Sequence, residues 1–136
     1  APWNFNFTFT AGYTVIGGGA SGLTAVATGA PVVIALVDGA TPALNAALGT
    51  EFTLVTTTNP TIAIPTNPTS GQKIIIRVTA SGGARTLALN TGAGGFRFGS
   101  DIASITQTAS GKTDYIGAIY NATAGFWDLV AYVKGF

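Results

Sequence analysis

The chain has 136 residues, of which 47% are hydrophobic and only 8% are charged, and six basic and five acidic side chains leave a net charge of +1. This length predicts one domain, and so small a charge excludes the electrostatic attraction that binds nucleic acid or an anionic membrane surface. Cysteine, histidine and methionine are absent, which excludes disulfides, thiolate nucleophiles and the commonest general base. We therefore predict a protein that is not an enzyme and that needs no metal and no cofactor.

Residues 1–37 contain no charged side chain. A signal peptide would begin with a basic region, and a membrane-spanning helix would need about 20 mostly apolar residues. The chain opens instead with Ala-Pro-Trp-Asn, and glycine, threonine and proline interrupt every apolar window of that length. Neither kind of segment is predicted, and no membrane partner is expected.

The N-terminal region predicts β-strands. Residues 4–10 alternate strictly, with three phenylalanines on one side and asparagine and threonine on the other, which is the period of a half-buried strand. Further strands are predicted at 13–16, 23–28 and 31–37. The last of these is a continuous apolar run, so we expect it to be buried on both faces.

We predict a single domain, residues 1–136, in which residues 1–40 form a neutral, apolar strand region that acts as an attachment or assembly arm. Aromatic side chains without accompanying charge are typical of the core of an obligate interface. The candidate assembly interface consists of Trp3, Phe5, Phe7 and Phe9.

Two predicted strands, 51–55 and 72–79, organise the middle of the chain. In each of them the large apolar residues fall on one parity, so the two strands should share one buried face. Proline and glycine turns between them exclude a helix. A helical turn fits only at 41–48, with Thr41 as its N-cap and Pro42 in its first turn, and a strand fits there equally well.

The C-terminal part predicts more short strands. A turn at 81–83 is interpreted as a hairpin into a strand at 85–89, and a short strand follows at 96–98. Two long strands, 113–120 and 126–133, flank a five-residue loop of hairpin length, 121–125. Many short strands bounded by glycine, proline and asparagine favour an all-β fold, an antiparallel β-sandwich, over an α/β fold.

Four segments carry a family likeness. They are an Asn-Pro-Thr turn with Gly-Gln and an aliphatic strand (65–78), an Arg-Thr-Leu hairpin (83–89), a short aromatic strand (96–101) and a terminal aromatic hairpin (112–136). In order and spacing, residues 54–136 resemble the C-terminal β-domain of tail-fibre, head-fibre and capsid-decoration proteins of tailed bacteriophages. Residues 1 to about 40 have no counterpart in that domain.

The resemblance implies a virion structural protein with a jelly-roll-like sandwich fold that assembles as a homotrimer. Its expected partners are copies of itself and the major capsid protein or other virion proteins. A length of 136 residues leaves no room for a fibre shaft, which favours a decoration or head-fibre protein on the capsid surface over a tail location. The alternative is a tail-fibre or fibre-tip protein that binds host surface glycans.

One glycine motif suggests a nucleotide site. Residues 17–22 satisfy G-x-G-x-x-G, and Asp38 lies near the distance expected of a ribose-binding acid. A dinucleotide site needs a helix to begin at the last glycine, whereas residues 23–28 are strand-like. We interpret the motif as a Gly-rich turn.

Asp114 and Asp128 lie on the two arms of the terminal hairpin and are the acids that could form the carboxylate pair of a glycoside hydrolase. Counting outward from the loop pairs Asp114 with residues 130–132, so the two carboxyl groups would be offset. Solvent-facing acids near basic side chains are the simpler interpretation. The candidate basic neighbours are Arg97, Lys112 and Lys134.

Trp127 and Tyr132 are the candidate aromatic platform for a host glycan. Strict alternation along 126–133 places these two residues on opposite faces of the strand. Because both faces carry large apolar side chains, burial in the core and in a subunit interface is the competing interpretation.

Overall fold

The computed structural model describes residues 13–17, 23–27 and 31–136. Its contacts divide the chain into two compact units, Ala1–Pro31 and Val32–Phe136. The first unit contains the antiparallel strands β1 (Tyr13–Gly17) and β2 (Leu23–Ala27). Both lie where the sequence predicted them. The predicted strand 4–10 and the candidate interface of Trp3, Phe5, Phe7 and Phe9 lie outside the described residues, and the predicted single domain stays a prediction.

The regular secondary structure of the second unit consists of strands, apart from one short 3₁₀ turn. In chain order they are β3 (Val33–Ala35), β4 (Glu51–Thr56), β5 (Thr61–Ile62), β6 (Lys73–Ala80), β7 (Arg85–Thr86), β8 (Ala88–Leu89), β9 (Phe96–Arg97), β10 (Gln107–Thr108), β11 (Thr113–Asn121) and β12 (Phe126–Val133). Six of them form one sheet in the order β3-β4-β6-β11-β12-β9, and the others form the pairs β5-β8 and β7-β10. The all-β prediction is confirmed.

The prediction of antiparallel pairing is only partly correct. The β6–β11 and β11–β12 pairs are antiparallel, but the β3–β4, β4–β6, β9–β12 and β5–β8 pairs are parallel. Parallel neighbours need a crossover of a dozen or more residues. Residues 57–72 supply that crossover between β4 and β6, and they carry β5 into a different sheet on the way.

Alternation in β4 and β6 gives the sheet its buried face, as predicted. Phe52 lies beside Ile76, and Leu54 lies beside Val78, and all four side chains are fully buried. Each such side chain contributes about 1.5–3 kcal/mol relative to an exposed one. The short strands pack over this face, because Ile62, Leu87 and Leu89 belong to the same hydrophobic cluster.

The turn at 81–83 is not the predicted hairpin. The Arg85 guanidinium donates two hydrogen bonds to the Ser81 carbonyl, at 3.1 and 2.9 Å, and the chain leaves the large sheet at this point. β7 then pairs with β10, whereas β8 pairs with β5. The predicted strand 85–89 is therefore divided between two sheets.

The apolar run at 31–37 is not buried on both faces. Its strand, β3, lies at one edge of the six-stranded sheet, where Val33 is 49% exposed and Val37, just beyond the strand, is 83% exposed. An edge position leaves one flank of the strand without a neighbour in the sheet.

The helical turn predicted within 41–48 is present but begins later than expected. Residues Ala46–Leu48 form a 3₁₀ turn, and the Asn45 side chain caps it by accepting a hydrogen bond from the Ala47 amide. Asparagine is as good an N-cap as the predicted threonine. No helix in the described ranges is long and apolar enough to cross a membrane.

The terminal hairpin forms with β12 at the predicted bounds, but a β-bulge interrupts it. Gly117 pairs with Ala131 and Ala118 pairs with Leu129, so Val130 is the extra residue. A bulge reverses the alternation beyond it. Tyr132 consequently lies opposite Ile116 and packs against the core, so the predicted separation of Trp127 and Tyr132 onto opposite faces is wrong.

Candidate functional site

The face of the six-stranded sheet that points away from the core is the outer sheet face. It carries large apolar side chains that are exposed to solvent, namely Val33, Val55, Ile75, Val130 and Val133. Val55 is 63% exposed and Val130 is 56% exposed. The solvent face of a half-buried sheet is normally polar. Ile75 and Val130 approach each other over Gly117, and Glu51 separates Ile75 from Val33. Large apolar side chains exposed together on one face mark a candidate interaction surface.

Both acids of the outer sheet face, Glu51 and Asp128, are paired with arginines, whereas the exposed Lys73 on the same face forms no ion pair with the described residues. Arg77 Nε lies 3.1 Å from Glu51 Oε1. Arg97 donates to both carboxyl oxygens of Asp128, at 2.7 and 2.9 Å. The Arg97 hydrogen bonds hold the pKa of Asp128 below its ordinary value and raise the pKa of Arg97. The interpretation of Asp128 as a surface acid beside a base is confirmed.

A cleft of about 300 Å³ lies on this face, and we call it the Arg77 cleft. The Thr79 and Thr113 hydroxyls contact each other at 2.8 Å within it. The Tyr115 and Phe136 rings meet edge to face, with centroids 5.4 Å apart and an interplanar angle of 89°. The cleft is lined by Thr53, Leu54, Val55, Arg77, Thr79, Thr113, Tyr115 and Phe136. It therefore combines a guanidinium, several hydroxyls and an aromatic wall.

A buried carboxyl group holds this aromatic wall in place. Asp114 is fully buried. One of its oxygens accepts a hydrogen bond from the Thr108 hydroxyl at 2.8 Å, and the other accepts from the Gly135 amide at 2.9 Å. Phe136 exchanges two backbone hydrogen bonds with Thr113, both of 3.0 Å. Asp114 thus anchors the residues that carry the Phe136 ring.

The candidate carboxylate pair of Asp114 and Asp128 does not form, as the expected offset of the two residues indicated. Asp114 has the parity of Ile116 and points into the core, whereas Asp128 lies opposite Ile119 and takes part in the surface ion pair with Arg97. The two carboxyl groups lie on opposite faces of one sheet, so they cannot act on a single substrate. The interpretation of Asp114 as a solvent-facing acid is also wrong.

The predicted glycan platform lacks its larger ring. Trp127 is fully buried and packs against Tyr120, with ring centroids 5.2 Å apart. Tyr132 is half-buried, its hydroxyl accepts a hydrogen bond from the Thr106 amide, and Lys134 lies over its ring at 5.7 Å. Trp127 Nε1 has no hydrogen-bond partner among the residues that the structure describes. Both residues serve the core rather than an open surface.

The glycine motif leads into a strand. Leu23, which follows the last glycine, begins β2, so no helix N-terminus is present there to face a phosphate. Asp38 instead joins two loops, because its carboxylate accepts from the Thr57 amide and hydroxyl, both at 2.9 Å. Hydrogen bonds from Thr56, Thr57 and Gly39 lower the pKa of Asp38 from 3.8 to about 2.

A second, apolar groove runs beside β3, and we call it the β3 groove. Its volume is about 320 Å³. Its lining residues are Ile34, Ala35, Leu36, Val37, Ala43, Leu44, Asn45, Leu48, Ala63, Ile64 and Thr66, none of which carries a charge. Leu48 is 57% exposed. Together, the outer sheet face and the region of β3 account for the exposed large apolar side chains of the described residues.

The sequence did not reveal the Arg77 cleft, although every strand residue that lines it except Leu54 has the outward parity of a predicted strand. Its walls come from β4, β6 and β11, which are neighbours only because of the crossover and the sheet order. In the described part of the chain, no three histidine, cysteine or acidic side chains cluster as a metal site would require.

Comparisons of the chain with models of protein families, with curated proteins and with solved structures found no match.

Proposed function

We propose that this chain is a non-enzymatic structural protein of a bacteriophage particle, a decoration or head-fibre subunit that associates with copies of itself and seats on the capsid surface. The observation that carries the proposal is the outer sheet face. Five large apolar side chains are exposed on it, both of its acids form ion pairs with arginines, and Lys73 is the one charged side chain of its described strands without an ion pair. Depletion of available charge around an apolar centre is the composition of an interface core.

The size of the outer sheet face favours attachment through several copies. From β3 to β12 the face spans four strand spacings, roughly 19 Å, and eight residues of strand extend roughly 26 Å. The resulting footprint of roughly 500 Å² is below the 800 Å² per partner that is usual for a stable complex. A single copy would therefore bind weakly, and several linked copies would gain affinity through multivalency.

The resemblance of residues 54–136 to phage β-domains supports a particle protein over other assembly proteins. The trimer and the jelly-roll character of the sandwich are part of this proposal, and neither follows from the strand pairing alone. The capsid is the proposed location, and the partner there is the major capsid protein.

The proposal is tested with full-length variants that place a charge on the outer sheet face. Val130→Asp and Val55→Asp each put an acid at an exposed position, so the fold should persist, and circular dichroism checks this. Ala103→Asp, at an exposed loop position, is the matched control.

The measurement is co-sedimentation with particles of the phage that encodes the chain, prepared without the protein, followed by gold labelling of the bound copies. The wild type and Ala103→Asp should bind at the head, and the two outer-face variants should not. Equal binding by all four proteins would contradict the role of this face, and labelling at the tail would contradict the capsid location.

Glycan binding is the second candidate function, and the Arg77 cleft is the observation that favours it. Sugar rings bind where an aromatic side chain and a few convergent polar groups meet in one cleft. Tyr115, Phe136, Arg77 and the two threonine hydroxyls provide that combination.

Titration with host surface polysaccharide, followed by calorimetry, tests the glycan candidate. Phe136→Ala should weaken saturable binding, whereas Val130→Asp should not affect it, since Val130 does not line the cleft. Absence of saturable binding by the wild type would rule this candidate out and leave the assembly proposal intact.

A further inference from the structure

We propose that the edge of β3, which pairs with no second strand among the described residues, is a strand-accepting site and that its occupant is the segment 4–10 of a second copy of this chain. The inference rests on the proposed self-association and names the residues that bring it about. It adds a binding site that is distinct from the outer sheet face.

Within residues 31–136, the backbone groups on the outer side of β3 have no strand partner. The Leu36 amide donates to the Thr53 carbonyl at 2.7 Å, and the Val32 carbonyl accepts from Thr50 and Glu51. Because successive residues of a strand point their backbone groups to opposite sides, Val33, Ala35 and Val37 point theirs away from β4. An extended peptide can pair with such an edge through its main chain.

The β3 groove supplies the side-chain part of the site. Ile34 and Leu36 pack against the core on the inner side of β3, and the groove continues from them to Leu44, Leu48 and Ile64. A cavity of 150 Å³ with an apolar lining is large enough for one benzene ring. The β3 groove, at about 320 Å³, therefore has room for roughly two aromatic rings.

Residues 4–10 have the sequence that this site requires. Phe5, Phe7 and Phe9 alternate with asparagine and threonine, so one side of an extended segment is aromatic and the other side is polar. Seven extended residues span roughly 23 Å, and the six residues from Val32 to Val37 span roughly 20 Å. Neither residues 4–10 nor the groove lining contains a charge, so docking buries no ion.

This contact joins different surfaces of two copies, so it is heterologous. Heterologous contacts that close upon themselves form rings, and a ring of three is the assembly that we propose. The outer sheet face is not used in the contact and stays available for the shell.

Engineered disulfides test the pairing directly, because the native chain has no cysteine. Ala35 has the outward parity of β3 and should lie beside the polar residues of the incoming segment. A copy with Ala35→Cys is mixed with a tagged copy that carries Asn6→Cys or Thr8→Cys and is mildly oxidised. A cross-link between the two kinds of copy is expected, and Ala84→Cys in place of Ala35→Cys should give none.

A solution measurement on full-length variants provides the second readout. Ala35→Lys places a charge on the exposed edge, and Phe7→Ser removes an aromatic ring, with Thr8→Ser as its matched control. Sedimentation velocity should show association weakened roughly 30-fold or more by the first two changes and unchanged by Thr8→Ser.

The outcomes separate this inference from the proposed function. If Ala35→Lys and Phe7→Ser associate normally while Val130→Asp fails to bind particles, the strand-accepting site is wrong and the outer-face proposal stands. A monomeric wild type, or cross-linking of Ala35→Cys only to itself, also overturns the inference.

Discussion

Asp114 is the buried polar group on which the C-terminal residues depend. Its two oxygens accept hydrogen bonds from the Thr108 hydroxyl and the Gly135 amide, and the residue is fully buried. Replacement by alanine removes both acceptors: the buried Thr108 hydroxyl loses its partner, whereas the Gly135 amide keeps a hydrogen bond of 3.2 Å to the Thr113 carbonyl. We expect Asp114→Ala to destabilise the fold and to release the residues that carry the Phe136 ring.

The magnitude follows from the two bonds. The buried Thr108 hydroxyl left unsatisfied costs about 1–3 kcal/mol, and loss of the bond to the exposed Gly135 adds about 0.5–1.5 kcal/mol. Removal of a buried carboxyl group also relieves some desolvation, which places Asp114→Ala at about 2–3 kcal/mol. Asp114→Asn keeps the shape and one acceptor oxygen, and should cost about 1–2 kcal/mol.

Urea denaturation followed by circular dichroism measures both changes as shifts of the midpoint. A shortened chain that lacks residues 135 and 136 is then combined with Asp114→Ala. Because the Asp114–Gly135 bond is lost in both variants, the double change should cost less than the sum of the single changes, by about 0.5–1.5 kcal/mol.

Additive costs would refute the anchoring role, since they would mean that Asp114 and Gly135 act independently. A cost below about 1 kcal/mol for Asp114→Ala would refute it as well. Thr108→Val is the comparison variant, because it removes the hydroxyl that donates to Asp114 and leaves the bond between Asp114 and the Gly135 amide in place.

Three further predictions concern particular side chains. Trp127→Phe removes an indole N–H that has no partner among the described residues, so it should cost less than about 1.5 kcal/mol in urea denaturation, whereas Trp127→Ala should cost about 3–5 kcal/mol. Gly95→Ala should be strongly destabilising in a thermal melt, because its Cβ would lie 2.3 Å from the Asn90 carbonyl oxygen, while Gly99→Ala meets nothing within 4 Å and should be neutral. The pKa of Asp38 is lowered from 3.8 to about 2, so its carboxylate stabilises the fold above pH 3.8, and this stabilisation is lost as the pH falls toward 2. In Asp38→Asn the free energy of unfolding should therefore depend less on pH between these two values. The difference should be less than about 1 kcal/mol, because the group is exposed.

Alternation along single strands was enough to predict much of the core. In β4 and β6 each apolar residue of one parity is buried, because side chains of an extended chain must point to alternate faces. The bounds of β12 were also predictable, since the loop before it has hairpin length and ends in glycine. These are local properties that depend on few distant contacts.

The order of the strands was not predictable in this way. β4 and β6 are parallel neighbours, and that relation depends on where residues 57–72 pack rather than on their own sequence. The bulge opposite Gly117 likewise has no local signal, yet it moves Tyr132 to the core side. Asp114 is buried for the same reason, because its partners Thr108 and Gly135 reach it only in the folded chain.

The two proposed surfaces would contribute different properties to one assembly. The outer sheet face provides apolar area, but both of its acids are paired within the chain, and apolar contact alone fixes neither register nor direction. The β3 edge provides directional backbone hydrogen bonds, which do fix both. In the proposed particle, strand exchange at the β3 edge would set the geometry of the ring. The ring would then present several outer sheet faces to the shell at once. Binding through several faces would hold the protein in place, although one face is too small for a stable contact by itself.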